Sequence, residues 1–321
     1  MRTILLPTTL DERVDLPAGW RSLPYDPALP LPTEGQDAEV LVVWGNRRAA
    51  LADAAERLGD LRWVACLAAG TDAIDDAGFD PGVLVTSGRG LHDGPVTEHA
   101  LALVLACARR LPDLVRAQDE RRWAGELGGV QPVHDTQVRT LAGAHVVVWG
   151  FGSIAARLAP LLVALGASVT GVATSAGERH GFPVVTPDEL GTVLPSADVL
   201  IGILPATPQT RHAIGAPVLA QLPQRAFVVN VGRGSTLDET ALLDAVRTRR
   251  LAGAALDVFE REPLPASSPL WGEPRILVSP HAAGGRPQHA GTFLTAALRA
   301  YDAGQDPPNV VPRTGTSAPR R

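Results

Sequence analysis

The sequence contains no lysine, so the 29 residues counted as lysine or arginine are all arginine. This absence excludes a mechanism that needs a lysine Schiff base or a lysine general base. Cysteine is scarce as well: Cys66 and Cys107 lie in apolar stretches and do not form a C-x-x-C motif. We interpret both as buried thiols in a reducing compartment, and not as a disulfide framework or a zinc site.

Long apolar runs are also missing. No stretch reaches the roughly 18 uninterrupted apolar residues of a membrane-spanning helix, and the apolar run after Met1 is too short for a signal peptide. The net charge of -5 does not suit a nucleic-acid partner, which would require a basic face. We therefore expect a cytoplasmic protein with no membrane or nucleic-acid partner.

The sequence does contain an alternation of short apolar runs and longer helical patterns. Its 321 residues predict two domains. Aliphatic runs bounded by turn residues are typical of parallel strands that are buried on both faces. The predicted strands are residues 3–6, 40–44, 63–67, 83–86, 145–149, 168–172, 198–204, 227–231, 254–258 and 276–279. This pattern indicates an α/β fold with helical crossovers between parallel strands.

A glycine-rich turn follows the strand at 145–149. It reads Gly150-Phe151-Gly152-Ser153-Ile154-Ala155, which is G-x-G-x-x-A between a strand and a helix. The first glycine permits a tight turn, and the second lets a pyrophosphate approach the backbone. The N–H groups at the helix start, at Ser153 and Ile154, are candidate donors to that anion. In this context the motif predicts a dinucleotide site.

The next strand indicates which dinucleotide is bound. NAD-specific sites place a carboxylate near the end of this strand, where it bonds the ribose 2′-hydroxyl. Here Ala173 and Thr174 occupy that region, and Arg179 follows in the loop beside Glu178. Without a carboxylate to repel a 2′-phosphate, we expect NADP or NAD, with NADP slightly favoured.

Three later segments, each after a predicted strand, bring together an arginine, a carboxylate and a histidine. They are Val231-Gly232-Arg233-Gly234, then Asp257-Val258-Phe259-Glu260-Arg261-Glu262-Pro263, then Ser279-Pro280-His281-Ala282-Ala283-Gly284-Gly285. Ligands of open α/β sheets bind at the carboxyl ends of the strands, so these side chains are candidates for one site.

With these segments in their order and spacing, the chain resembles the D-isomer-specific 2-hydroxyacid dehydrogenases, from about residue 63 to residue 311. The resemblance implies that His281 is the general acid/base at the substrate oxygen, a role that suits imidazole. It implies that Glu262 pairs with His281 and raises its pKa. Arg233 would bind the substrate carboxylate and carbonyl through its planar fork of donors. The expected activity is hydride transfer between NAD(P)H and C2 of a small 2-oxo/2-hydroxy acid.

Further positions carry over from the same family. Asp257 would hold the nicotinamide carboxamide or a nearby ribose, and the backbone of Ala69 and Gly70 would clamp the substrate carboxylate. The remaining expected contacts to the cofactor are Pro205, Thr210, Val231 and Gly284. We interpret the pair Glu98-His99 as structural.

The resemblance also implies how the chain is divided. A substrate domain with a flavodoxin-like, doubly wound parallel sheet would comprise residues 1–93 and 286–321. A Rossmann dinucleotide-binding domain, residues 94–285, would be inserted in it. We expect a homodimer through residues 98–108 and 121–127 of the dinucleotide domain.

Two alternatives remain open. A formate or phosphite dehydrogenase would share the fold, but the formate branch carries glutamine where this chain has Glu262, and the phosphite branch uses a lysine that this chain lacks. A dinucleotide-sensing corepressor or scaffold could keep the same Arg/Glu/His set. Turnover of 2-oxo acids would distinguish an enzyme from such a scaffold.

Overall fold

The computed structural model describes residues 1–128 and 138–313. The chain divides into two compact units, Met1–His92 with Arg286–Arg321, and Asp93–Gly285. The first unit is built on a parallel sheet and the second on a mostly parallel sheet, each with helices, so the predicted α/β class is confirmed.

The first unit contains a five-stranded parallel sheet. Its elements are β1 (Arg2–Pro7), β2 (Trp20–Tyr25), β3 (Val40–Val43), α1 (Arg48–Arg57), β4 (Trp63–Cys66), α2 (Asp72–Asp75) and β5 (Leu84–Thr86). The strand order β2-β1-β3-β4-β5 is that of flavodoxin-like folds. Within β3, Val40 and Val42 pack into one core cluster, while Leu41 and Val43 pack into another. Both faces of this sheet are therefore buried.

The second unit contains an eight-stranded sheet in the order β13-β12-β11-β10-β6-β7-β9-β8. Its elements are α3 (Asp93–Ala108), α4 (Leu111–Asp119), β6 (His145–Trp149), α5 (Ser153–Ala164), β7 (Ser168–Val172), β8 (Gly177–Arg179), β9 (Phe182–Val185), α6 (Leu190–Val193), β10 (Val199–Gly202), α7 (Ala216–Leu219), β11 (Phe227–Asn230), α8 (Glu239–Arg247), β12 (Gly253–Leu256) and β13 (Ile276–Val278). Among the strands that the described residues form in this sheet, only β8, an edge strand, runs antiparallel to its neighbour. The strand order reverses between β6 and β10, and ligands of such sheets bind beyond the carboxyl ends of the strands at that point.

The sequence pattern did not predict three of the strands. Strand β2 lies at the edge of the first sheet, where only its ends are buried and where Pro24 is tolerated. Strands β8 and β9 form a short hairpin at the edge of the second sheet, with Gly181 at a φ of +81° in the turn. All three lie at or beside a sheet edge, so they lack the continuous apolar runs of the central strands.

The chain returns to the first unit through the last helix, α9 (Ala290–Asp302). Leu294 and Leu298 of this helix are buried in the same cluster as Ile4 and Trp63. The helix thereby covers one face of the first sheet.

Candidate active site

The glycine-rich turn joins β6 to α5. Gly150 has a φ of +102°, and a Cβ there would lie 2.4 Å from the carbonyl oxygen of Ile203. A glycine is therefore required. At Gly152, the N-cap of α5, a Cβ would meet nothing within 4 Å, and no side chain caps the helix. The open space at the start of this 12-residue helix, with N–H groups at Ser153 and Ile154, fits a pyrophosphate.

The end of β7 carries no acidic side chain. Ala173 donates its N–H to the carbonyl of Val185 at 3.0 Å, and Thr174 follows as an exposed residue. The hairpin β8–β9 brings Arg179 back to this loop, where its Nη2 donates to Ser175 Oγ at 2.6 Å and to Ser175 O at 3.2 Å. A guanidinium therefore lies beside the loop after β7, the region in which NAD-specific sites carry a carboxylate.

The turn after β10 contains Pro205 and Thr210, two of the residues that were expected to contact the cofactor. The hydroxyl of Thr210 donates to the carbonyl of Pro205 at 2.6 Å and accepts the N–H of Thr207 at 2.8 Å. Val231 follows β11 and is buried, with its N–H donated to the carbonyl of Gly202. The roles of Pro205, Thr210 and Val231 toward a cofactor remain predictions.

The structure brings together the histidine and the glutamate of the predicted catalytic set. His281 Nδ1 lies 2.7 Å from Glu262 Oε2, and Glu262 Oε1 accepts the N–H of Phe259 at 2.9 Å. A carboxylate can only accept, so the proton lies on Nδ1 of the imidazole and Nε2 is left to exchange a proton with a substrate. The side chains are 47% and 35% exposed, so the pair is accessible to a small molecule.

The electrostatics of this pair favour the charged form of both residues. The hydrogen bond to Glu262 raises the pKa of His281 above its ordinary value, although burial and the charge of Arg233 oppose the rise. Burial acts to raise the pKa of Glu262, but its hydrogen bonds from His281 and Phe259 and the nearby positive charges together lower it. The arrangement therefore stabilises an imidazolium, which is the form that can act as an acid.

Arg233 follows β11, and its neighbour Gly234 packs directly on the loop that carries Glu262. A Cβ at Gly234 would lie 1.9 Å from the backbone of Phe259, so only glycine allows this contact. The backbone carbonyl of Arg233 accepts the hydroxyl of Thr236 at 2.6 Å, and its guanidinium donates to Gly232 O at 2.9 Å. The charge of Arg233 acts on both Glu262 and His281, so the three side chains are electrostatically coupled.

Asp257 is fully buried at the end of β12. Its carboxylate accepts the hydroxyl of Ser279 at 2.5 Å and the N–H groups of Ala282 and Ala283 at 2.8 and 3.0 Å. These contacts connect Asp257 to the loop that carries His281. Its expected role at the nicotinamide remains a prediction, and the sequence had assigned no role to Ser279.

The remaining predicted residues lie at loop positions. Gly284 is partly buried directly after Ala283. In the first unit, the exposed residue Ala69 and the partly buried Gly70 follow β4, and the thiol of Cys66 contacts the carbonyl of Gly70 at 3.7 Å. A clamp on the substrate carboxylate at Ala69 and Gly70 remains a prediction.

Two kinds of feature are absent from residues 1–128 and 138–313. No cluster of three or more histidine, cysteine, aspartate or glutamate side chains there could hold a metal ion. In the same part of the chain, no helix has the length and apolar character needed to cross a membrane.

Residues 101–283 match the family model described as D-isomer specific 2-hydroxyacid dehydrogenase, NAD binding domain. The chain belongs to this family. A glyoxylate/hydroxypyruvate reductase A of Klebsiella pneumoniae is 35% identical over 213 residues, which cover 65% of this chain and 64% of that relative. The relative of the same name in Yersinia enterocolitica is 30% identical over 86% of this chain and 87% of its own length.

A solved structure of a family member is similar over nearly the whole chain. The D-isomer specific 2-hydroxyacid dehydrogenase from Xanthobacter autotrophicus, crystallised with NADPH and MES, has a TM-score of 0.76 and 30% identity, and the match covers 97% of this chain and 98% of that one. The open turn at Gly150 and Gly152 thus lies in a domain that the family uses for a nicotinamide dinucleotide.

Proposed function

We propose that this chain is an NAD(P)-dependent dehydrogenase that reduces small 2-oxo acids to D-2-hydroxy acids. The observation that carries the proposal is the 2.7 Å pair of His281 and Glu262, electrostatically coupled to Arg233, in the unit that holds the dinucleotide turn. A protonated imidazole and a guanidinium are the groups that a carbonyl oxygen needs while it gains negative charge.

The proposed mechanism uses the side chains of His281, Glu262 and Arg233 in different ways. The turn at Gly150 and Gly152 would hold a reduced nicotinamide dinucleotide, which would supply the hydride to C2. His281 Nε2 donates a proton to the C2 oxygen, while Nδ1–H stays bonded to Glu262. Glu262 stabilises the imidazolium before the transfer, and Arg233 binds the substrate carboxylate and polarises the C2 carbonyl.

The names of the relatives suggest the substrate class. Relatives called glyoxylate/hydroxypyruvate reductase align with 65% and 86% of this chain. The first of these matches extends over only 64% of the relative, so the substrate is carried over as a proposal. Glyoxylate and hydroxypyruvate are therefore the first substrates to test.

We further propose that NADP is the preferred dinucleotide. Ala173 presents no carboxylate to a 2′-phosphate, and Arg179 lies beside the same loop, held by Ser175. A guanidinium pairs well with phosphate oxygens. A family member of similar structure was crystallised with NADPH, which supports the proposal.

A homodimer in the cytoplasm completes the proposal. Helix α3 packs mostly inside its own unit, whereas α4 exposes Leu111, Leu114 and Val115, and the indole of Trp123 is 96% exposed. Such a surface suits contact with a second copy. Cys66 and Cys107 do not form a disulfide with each other, which suits a reducing compartment that cell fractionation can check.

A turnover assay tests the function. We expect the purified chain to oxidise NADPH with glyoxylate or hydroxypyruvate. His281→Ala should lower kcat by about 10²- to 10⁴-fold. Arg233→Ala should lower kcat and raise KM, because the same guanidinium also orients the bound substrate. His289→Ala is the matched control, since His289 has a φ of +60° and His281 one of +52°. Absence of turnover with all 2-oxo acids, or normal turnover by His281→Ala, would contradict the proposal.

A further inference from the structure

The loop that carries His281 is held by a buried carboxylate. Asp257 has no exposed surface, and it accepts hydrogen bonds from Ser279, Ala282 and Ala283. In addition, the backbone N–H of His281 donates to the carbonyl of Asp257 at 2.8 Å. A buried charge requires such partners, so this loop and the end of β12 stabilise one another.

His281 itself needs this support. Its φ of +52° lies in the left-handed region, which a residue other than glycine adopts at a cost and keeps only where its surroundings fix it. The geometry of the pair with Glu262 therefore depends on what fixes the loop from Ser279 to Ala283.

A second histidine completes the network from helix α3. His99 Nε2 lies 2.9 Å from Ser279 Oγ and 3.2 Å from Asp257 Oδ1. The hydroxyl of Ser279 has a single proton, and at 2.5 Å that proton is donated to Asp257. His99 must then be the donor to Ser279, which places a proton on its Nε2. The resulting order of donation is His99 to Ser279 to Asp257.

We infer that His99 is a positioning residue for the proposed reduction. Through Ser279 and Asp257 it holds the loop in the conformation that presents His281 to Glu262 and to the substrate oxygen. The expected effect on turnover rests on the proposed function, whereas the expected effect on the loop from Ser279 to Ala283 does not. The network requires only that Nε2 of His99 carries a proton, as it does in one tautomer of the neutral imidazole.

The kinetic test uses His99→Phe, which removes the donor, and His99→Gln, whose side-chain amide can donate from a similar position. We expect His99→Phe to lower kcat about tenfold, the order expected for a lost hydrogen bond in a network with a charged group. Glu262 and Asp257 raise the pKa of His281, whereas Arg233 lowers it. If the ring of His281 moves away from Glu262, its pKa should fall, so His99→Phe should lose activity at a lower pH than the wild type. His99→Gln should restore most of kcat and the original pH profile.

The matched control is His145→Phe. His145 also bonds two hydroxyls, those of Ser196 and Thr170, but it lies at the start of β6 and does not contact the His281 loop. Loss of these bonds should leave the pH profile unchanged. Ser279→Ala should reproduce the effect of His99→Phe, and combining both substitutions should add little, since they break the same chain of donors.

Amide hydrogen exchange gives a readout that does not depend on activity. Exchange at Ala282 and Ala283 should become faster in His99→Phe and Ser279→Ala, but not in His145→Phe. If the wild-type chain reduces no 2-oxo acid, the proposed function fails while this measurement still tests His99. Unchanged exchange at these two amides, or a pH profile in His99→Phe that matches the wild type, would overturn the inference.

Discussion

Replacing Glu262 with glutamine should make the reduction fail at a lower pH than in the unmodified protein. The substitution removes a negative charge 2.7 Å from His281 Nδ1, but the amide oxygen can still accept the N–H of Phe259. The fold of this loop should therefore persist. The hydrogen bond to Glu262 is the largest cause of the raised pKa of His281, and glutamine cannot supply its charge.

The direction in which the pH–rate profile moves follows from the direction of the pKa shift of His281. Reduction needs protonated His281, so activity is present at pH values below its pKa in the folded protein and is lost as the pH rises through it. A lower pKa moves this loss to lower pH. Oxidation of the 2-hydroxy acid needs the neutral imidazole, so its acidic limit should move to lower pH as well.

The size of the effect depends on solvent exposure. Hydrogen bonds to charged groups contribute roughly 1.5–3 kcal/mol and exposed ion pairs about 0.2–1 kcal/mol. The side chains of His281 and Glu262 are 47% and 35% exposed. We therefore expect Glu262 to stabilise the imidazolium of His281 by about 1 kcal/mol, between the two ranges. This corresponds to about a fivefold lower rate of reduction on the alkaline side. On the acid side, where His281 is protonated in either protein, the rates should converge.

The assay is a pH–rate profile of kcat in both directions, with Glu56→Gln, an exposed glutamate of α1, as the control. A profile that does not move in Glu262→Gln, or that moves to higher pH, would refute the assignment of Glu262 as the partner that keeps His281 protonated.

Two further predictions concern the cofactor and the assembly. Ala173→Asp should weaken NADPH binding more than NADH binding, because the carboxylate repels the 2′-phosphate; fluorescence titration checks this, and a wild-type chain that binds NADH tightly and NADPH not at all would contradict it. Leu114→Glu should shift the protein toward a monomer in light scattering, whereas Leu161→Glu, at a similarly exposed leucine of α5, should not; a wild-type monomer at micromolar concentration would exclude the dimer.

Much of the second unit was predictable from local sequence. The central strands are continuous apolar runs because parallel strands are buried on both faces, so β6, β10 and β11 were recognised by composition alone. The turn at Gly150 was equally clear, since G-x-G-x-x-A between a strand and a helix is typical of a dinucleotide site. The positive φ of Gly150 and its close approach to Ile203 explain why glycine is required there. The candidate residues Arg233, Glu262 and His281 could be selected because each follows a predicted strand in the order typical of one family.

Only the tertiary structure decided how these side chains are held. Gly234 contacts Phe259, and His281 bonds Glu262, so each of these pairs joins segments that are separated in sequence. The burial of Asp257 likewise depends on the folded chain around it. His99 could not be connected with Ser279 from sequence, because they are 180 positions apart and nothing in the local pattern of α3 marks the contact. Strands β2, β8 and β9, which lie at or beside a sheet edge, depend on pairing with a neighbouring strand, which is a property of the folded sheet and not of their own residues.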